Sequence, residues 1–184
     1  APDVAAAAER FARNRPQRLL DLGCGTGCLL AASLLLHPRA TGLAVDRSAA
    51  AARYAQSLFR ALGRGRRAQT QVGDAAGFVA GGFDGAVANP PYLTTAEVDD
   101  ADDAVRLGDP HPALDGGPDG CAAHRVFAGA LSRALRPDGF AIVEIGAAQT
   151  AAAAPIFERA GFALETGVRD GAGRDRALAL RRRV

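Results

Sequence analysis

The chain has 184 residues, of which 48% are hydrophobic, so it is long enough for one domain with a substantial buried core. Its formal net charge of +2 is too small to indicate a nucleic-acid-binding protein. No apolar run approaches the roughly 20 residues needed to cross a membrane, so no membrane-spanning helix is predicted in this sequence.

Short apolar runs alternate with amphipathic segments along the chain, which predicts an α/β protein. In chain order we expect a helix over 2–13, a strand over 18–23, a helix over 26–36, a strand over 41–46, a helix capped by Ser48, and strands over 68–74 and 83–89. A loop rich in Asp, Gly and Pro over 93–118 should precede a helix from 119 or 120 to 135, a strand over 140–146 and a helix over 147–160. The closing segments "FALETGVRD" and "RALALRRR" flank "GAGR" and predict a β-hairpin, so one strand of an otherwise parallel sheet should be antiparallel. All of this is expected to form one domain spanning 1–184.

The cysteines and histidines show no metal-binding or disulfide pattern. Cys24, Cys28 and Cys121 are odd in number and lack CxxC spacing, which favours a reducing cytoplasm over a disulfide framework. The histidines are scattered along the chain, so no metal site is predicted.

The stretch "LLDLGCGTGCLL" has the pattern of a cofactor-binding turn. Gly23, Gly25 and Gly27 fall where the first strand meets the next helix, and glycines let a ligand approach the backbone. The helix N-terminus offers unpaired N–H groups. Asp46 ends the second strand, where an acidic residue binds ribose hydroxyls in such sheets.

NAD and S-adenosylmethionine both satisfy this pattern, but three details favour S-adenosylmethionine. The glycine spacing is GxGxG rather than the GxGxxG of dinucleotide sites. Asp21 precedes the glycines, where it can meet a cationic amino group, whereas pyrophosphate needs a helix N-terminus clear of acids. Asp74, in "VGD", ends the third strand beside the expected adenine.

The motifs "DLGCGTG", "AVD", "GD" and "NPPY", in that order, resemble the class I S-adenosylmethionine-dependent methyltransferases over nearly the whole chain. The resemblance implies a Rossmann-like seven-stranded sheet, mostly parallel with the last strand antiparallel and with helices on both faces. It also implies a set of cofactor-binding residues: Asp21, Gly23, Cys24, Gly25, Thr26, Gly27, Asp46, Arg47, Asp74, Ala75 and Asn89.

The "NPPY" motif, residues 89–92, is used in this family to methylate a planar nitrogen. Such nitrogens are poor nucleophiles because their lone pair is delocalised, so they need fixed hydrogen-bond acceptors rather than a strong base. We expect the side-chain oxygen of Asn89 and the backbone oxygen of Pro90 to accept the two N–H groups of a substrate NH2. Pro91 stiffens the corner and Tyr92 packs on the flat group, so Asn89, Pro90 and Tyr92 are the predicted catalytic residues and Pro91 joins them in binding substrate.

Three further segments resemble the release-factor glutamine methyltransferases: "DPHPALDGGPDG" over 109–120, "EIGAAQ" over 144–149 and "RDGAGRDR" over 169–176. The resemblance implies transfer of a methyl group to the N5 amide nitrogen of the glutamine in the Gly-Gly-Gln loop of peptide chain release factors. It implies a release factor as partner and a loop over 94–120 that covers the target peptide. The family's N-terminal helical domain is not recognisable, so the expected unit is the catalytic domain.

Other functions remain open at this point. "NPPY" also serves adenine-N6 methyltransferases acting on RNA or DNA, although the acidic run "EVDDADD" over 97–103 should repel phosphate and makes nucleic acid an unexpected substrate. A non-catalytic cofactor-binding scaffold would not need an intact "NPPY". An NAD oxidoreductase is disfavoured by the glycine spacing and by the lack of an evident hydride-site acid.

Overall fold

The computed structural model describes residues 17–101 and 111–184. The strands are β1 (Arg18–Leu22), β2 (Thr41–Asp46), β3 (Ala68–Val72), β4 (Phe83–Ala88), β5 (Leu135–Glu144), β6 (Phe162–Arg169) and β7 (Asp175–Arg182). The helices are α1 (Cys28–Leu36), α2 (Ala49–Ala61), α3 (Thr95–Asp99), α4 (His111–Leu114), α5 (Ala122–Ala134) and α6 (Thr150–Arg159). The helix predicted over 2–13 lies outside the described residues.

The strands form one seven-stranded sheet in the order β3-β2-β1-β4-β5-β7-β6. Strands β1 to β5 pair in parallel, and β7 is antiparallel to both β5 and β6. The predicted mostly parallel sheet with an antiparallel last strand is confirmed. Since parallel strands end at one edge, the carboxyl ends of β1, β2, β4 and β5 lie side by side, which is where α/β folds bind ligands.

The core has two layers, one on each face of the sheet. On one face Phe127 of α5 and Phe157 of α6 pack in a cluster with Leu20 and Leu22 of β1. On the other face Leu30 and Leu34 of α1 and Phe59 of α2 form a second cluster with Leu19 of β1. Every position of β4 is buried, as expected for a central parallel strand covered on both sides.

The segment over 93–118 is not the single irregular loop that the composition suggested. Among its described residues it contains two short helices, α3 and α4. Helix α3 begins with a reciprocal cap, in which the Thr94 hydroxyl accepts from the Glu97 N–H at 3.1 Å and the Glu97 carboxylate accepts from the Thr94 N–H at 2.7 Å. The Thr94 N–H and the Thr94 hydroxyl both donate to the Glu97 carboxylate and hold the pKa of Glu97 below its usual value. The prediction was wrong because acidic composition masked the Thr-x-x-Glu capping signature.

Two predicted boundaries also move. Helix α1 begins at Cys28 rather than Thr26, because Gly27 has a φ of 80° and cannot continue a helix backwards. Strand β5 begins at Leu135, opposite Phe83, but Phe140 is opposite Gly85, so residues 136–139 bulge out. The sequence "RPDG" over 136–139, which is typical of a turn, forms this bulge inside the strand.

The start of β1 is fastened by a buried carboxylate on β4. Asp84 is 8% exposed, and one of its carboxylate oxygens accepts from the backbone N–H groups of Gln17 and Arg18 at 2.6 and 2.8 Å. The other oxygen lies 2.8 Å from the guanidinium of Arg136, which is 60% exposed.

Replacing Asp84 by alanine is expected to lower the free energy of unfolding by about 2 kcal/mol, because two backbone N–H groups lose their acceptor. The exposed Arg136 can return to water and adds little. Urea unfolding should show the loss, and Glu158→Ala, at an exposed position on α6, should leave the midpoint unchanged. Equal midpoints for Asp84→Ala and the parent chain would contradict the assignment.

Candidate active site

The turn after β1 contains three glycines, of which Gly23 and Gly27 are packed against side chains and Gly25 faces open space. The φ angles of Gly23, Gly25 and Gly27 are 71°, 50° and 80°, all in the left-handed region. A Cβ on Gly23 would lie 2.9 Å from the Phe127 ring, and one on Gly27 would lie 2.9 Å from the Phe59 ring. A Cβ on Gly25 would meet nothing within 4 Å. The turn is therefore closed against the helices and open at Gly25, where a ligand can approach.

Asp21 lies beneath this turn and is fully buried. One carboxylate oxygen accepts from the Leu30 N–H in the first turn of α1 at 3.0 Å, and the other has no hydrogen-bond partner among the described residues. Burial raises the pKa of Asp21 to about 7; the Leu30 N–H lowers it and the neighbouring Asp46 raises it. A buried acceptor without a donor suits a cationic or N–H-bearing ligand group.

Asp46, at the end of β2, connects the turn to the next loop. One oxygen accepts from the Gly25 N–H and the other from the Ser48 N–H, both at 2.8 Å. Each carboxylate oxygen keeps a second lone pair. The half-buried Asp46 therefore fixes the open glycine of the turn while retaining acceptor capacity for hydroxyl groups.

Asp74 and Ala75 follow β3 on the same edge of the sheet. The Gly73 N–H donates to the Asp46 carbonyl at 2.9 Å, which brings this loop next to Asp46. Asp74 is exposed, and its carboxylate accepts from the Ala76 N–H at 2.8 Å. It lines a pocket of about 270 Å³ together with the hydrophobic side chains of Phe78 and Val79.

The other predicted cofactor residues lie within the glycine turn or directly after Asp46. Cys24 is buried, and burial together with Asp21 raises the pKa of its thiol to about 12, so it stays protonated near neutral pH. Thr26 is exposed and donates to the Cys28 sulfur at 3.2 Å. Arg47 follows Asp46 and is exposed. That these residues touch a cofactor stays a prediction.

The Asn-Pro-Pro-Tyr corner begins where β4 ends. Ala88 is paired with Leu22 of β1, so Asn89 and Gly23 are the next residues on two neighbouring strands. Asn89 is exposed, and its side chain makes no hydrogen bond within the described part of the chain, whereas Pro90 is buried. The structure thus brings the predicted acceptor corner beside the glycine turn, with the Asn89 amide available for a ligand.

Tyr92 faces a carboxylate that is not among the predicted site residues. Its hydroxyl lies 3.5 Å from a carboxylate oxygen of Glu144, the last residue of β5. Burial raises the pKa of Tyr92, and Glu144 raises it further. Burial also raises the pKa of Glu144, while Arg176 and the Tyr92 hydroxyl lower it. The only sequence signal for Glu144 was its place in "EIGAAQ".

The described residues contain neither a metal-binding cluster nor a membrane-spanning helix, and all three cysteines are reduced. Across 17–101 and 111–184, no three His, Cys, Asp or Glu side chains are grouped so that they could hold a metal ion. Within the same ranges no helix combines the length and hydropathy of a membrane span. Cys24, Cys28 and Cys121 are all free thiols.

The family model for the methyltransferase small domain matches residues 4–105, more than half of the chain. The chain belongs to this family. A release factor glutamine methyltransferase of Rhodospirillum rubrum is 42% identical to this methyltransferase domain over 167 residues, which cover 91% of the chain and 51% of the relative. The corresponding protein of Caulobacter vibrioides is 40% identical over 169 residues, covering 91% and 58%. The domain therefore spans about half the length of the curated relatives that it matches.

The solved structure of TrmN from Thermus thermophilus superposes on the methyltransferase domain with a TM-score of 0.64. It is 23% identical, and the alignment covers 97% of the domain and 48% of TrmN. The predicted class I methyltransferase fold is confirmed.

Proposed function

We propose that this domain transfers a methyl group from S-adenosylmethionine to the side-chain amide nitrogen, N5, of a protein glutamine. The proposed target is the Gly-Gly-Gln loop of peptide chain release factors. The observation that carries the proposal is the placement of Asn89 and Pro90 directly beside the glycine turn. The names of the relatives from Rhodospirillum rubrum and Caulobacter vibrioides support the choice of substrate.

The residues of the turn fit S-adenosylmethionine. The unpartnered buried oxygen of Asp21 suits the cofactor's ammonium group, and the open side of Gly25 allows close approach to the backbone. The free lone pairs of Asp46 suit ribose hydroxyls. When bound, the cofactor supplies an activated methyl group attached to a sulfonium.

The corner accounts for the rest of the chemistry. The Asn89 side-chain oxygen and the Pro90 carbonyl oxygen can accept the two N–H groups of the substrate amide and so orient its nitrogen. Positive charge develops on that nitrogen during methyl transfer, and the same two oxygens stabilise it. Pro90 and Pro91 restrict the backbone, so little reorganisation is needed. The new C–N bond replaces the carbon–sulfur bond of the donor, which departs as a neutral thioether, and the methylated nitrogen then loses one N–H proton to solvent. Fixed acceptors thereby remove the need for a strong base before the transfer.

The surroundings of the corner favour a protein substrate over a nucleic acid. Helix α3, which follows the corner, begins beside Gly117 through a hydrogen bond from the Thr95 N–H at 3.1 Å. It carries Glu97 and Asp99 and is followed by Asp100, so three acidic residues follow the corner closely in the sequence. Phosphate groups would be repelled there, whereas a neutral Gly-Gly-Gln peptide would not.

The decisive experiment incubates the domain with radiolabelled S-adenosylmethionine and either a release factor or total RNA. Label in the release factor, located on the Gly-Gly-Gln glutamine by mass spectrometry, is the expected result. Label only in RNA would reject the glutamine assignment in favour of adenine methylation. A release factor whose Gly-Gly-Gln glutamine is replaced by glutamate is the matched control and should take up no methyl.

Binding of S-adenosylmethionine should release protons from Asp21. With a pKa of about 7, Asp21 is roughly half protonated at pH 7, and an ammonium group beside it lowers this pKa. Proton release should therefore be about half a proton per cofactor at pH 7 and fall towards zero at pH 9, where the free protein is already ionised. Calorimetry in buffers of different ionisation enthalpy measures this.

Asp21→Asn serves as the control for this linkage, since it cannot titrate and should make the binding enthalpy independent of the buffer. A buffer-independent enthalpy in the parent chain between pH 6 and 8 would remove Asp21 from the cofactor site.

A further inference from the structure

Gln149 stands at the start of α6, where a polar side chain ordinarily caps its own helix. Here the Gln149 side chain makes no such cap. Its oxygen instead accepts from the Gly146 N–H at 2.9 Å, and its nitrogen donates to the Tyr92 carbonyl at 2.7 Å. The Gln149 side chain thus hydrogen-bonds to the segment after β5 and to the corner after β4, and not to the N–H groups of its own helix.

The orientation of this amide is fixed by its partners. A backbone N–H can only meet the amide oxygen and a backbone carbonyl only the nitrogen, so the two bonds leave one arrangement. The same nitrogen lies 3.5 Å from the Gly120 carbonyl, in the loop before α5. One side chain therefore joins three segments: the end of β5, the corner after β4 and the loop before α5.

The Gln149 amide lies so close to the Gly120 backbone that a side chain at position 120 would clash with it. A Cβ on Gly120 would lie 2.5 Å from the Gln149 nitrogen and 2.6 Å from the Tyr92 carbonyl. A Cβ on Gly116 would lie 2.9 Å from the Pro91 carbonyl. Both glycines belong to the "DGGPDG" stretch. The loop before α5 can therefore pack against the corner over 89–92 only with glycine at these two positions.

We propose that Gln149 is the positioning residue of the acceptor site. By holding the Tyr92 carbonyl, it keeps the corner over 89–92 in the one conformation in which the Asn89 and Pro90 oxygens face a substrate NH2 group. Tyr92 is also held by its side chain, because its hydroxyl lies beside the Glu144 carboxylate. This role rests on the proposed function, since it is the amide-binding corner that Gln149 positions.

Gln149→Glu is the sharpest test, because it keeps an acceptor for the Gly146 N–H but replaces the donor to the Tyr92 carbonyl by an oxygen. We expect kcat for the release factor to fall at least 10-fold, with the Kd for S-adenosylmethionine within 2-fold of the parent value. Gln149→Met, of similar length but without hydrogen bonds, should show the same pattern. Gln69→Glu, at an exposed position of β3, is the matched control and should keep full activity.

Hydrogen exchange measured by mass spectrometry gives a second result that needs no substrate. In Gln149→Glu, amides in the peptide over 89–96 should exchange at least 10-fold faster, while β1 and β4 exchange as in the parent. Unchanged exchange over 89–96, a uniform rise across the sheet, or an unchanged kcat would each overturn the positioning role. If the parent chain methylates no glutamine, the proposed function fails, and the exchange pattern still decides whether Gln149 holds the corner.

Discussion

Replacing Asn89 by alanine is expected to lower kcat for glutamine methylation by at least about 100-fold, or roughly 3 kcal/mol of transition-state stabilisation. The Asn89 side chain makes no hydrogen bond within the described residues, so its loss removes an acceptor for substrate and disturbs little of the fold. Single-turnover kinetics with saturating cofactor and release factor would measure the effect on the chemical step.

The controls for this variant separate chemistry from binding. The melting temperature of Asn89→Ala should stay close to the parent value, because the core is untouched. The Kd for S-adenosylmethionine should change far less than kcat, because the glycine turn and Asp46, which carry most of the proposed cofactor contacts, are intact. Gln69→Ala, which removes an exposed amide from β3, should leave kcat unchanged. Full turnover by Asn89→Ala would show that the corner is not the acceptor site.

Replacing Asp46 by alanine is expected to weaken S-adenosylmethionine binding about 100-fold, or roughly 3 kcal/mol. The variant loses the acceptors proposed for ribose and also the 2.8 Å bond from the Gly25 N–H that fixes the open part of the turn. Asp46→Asn keeps one oxygen acceptor and should lose less. Isothermal titration calorimetry would give all three dissociation constants.

Asp100→Ala is the matched control, since this exposed acid follows α3 and is remote in sequence from the turn. Its cofactor affinity should equal that of the parent chain. If calorimetry finds the same Kd for Asp46→Ala and the parent, Asp46 does not bind the ribose.

The glycine turn and the proline corner were predictable because each depends on residues that are adjacent or nearly adjacent in the chain. The glycine spacing and the acid at the end of the second strand predicted the turn, because glycines with positive φ are needed there whatever the tertiary packing. The two prolines after Asn89 likewise predicted a stiff corner. In the structure Gly25 and Asp46 are joined by a hydrogen bond, and Asn89 follows β4 beside the turn.

The features that escaped prediction depend on residues far apart in the chain. Nothing near Gln149 indicates that its amide reaches Tyr92, 57 positions earlier, since that contact exists only once β4 and β5 are neighbours. The hydrogen bond from the Leu30 N–H to the Asp21 carboxylate also joins two different elements, β1 and α1, and the residues next to either partner do not indicate it. The residues "RPDG" over 136–139 indicate a turn, but they do not indicate that this turn is a bulge within one strand, which depends on pairing with Phe83 and Gly85.

The insertion of β7 between β5 and β6 has a consequence for synthesis of the chain on the ribosome. Among the described strands, β6 lies at the edge of the sheet and pairs with β7, and β5 pairs with the other side of β7. Until residues 175–182 leave the exit tunnel, the outer edge of β5 therefore has no partner strand. At the usual pace of about 5–20 residues per second, this interval after β5 lasts roughly 2–8 s. Exposed strand edges invite pairing between chains, so aggregation during translation should be concentrated in that interval.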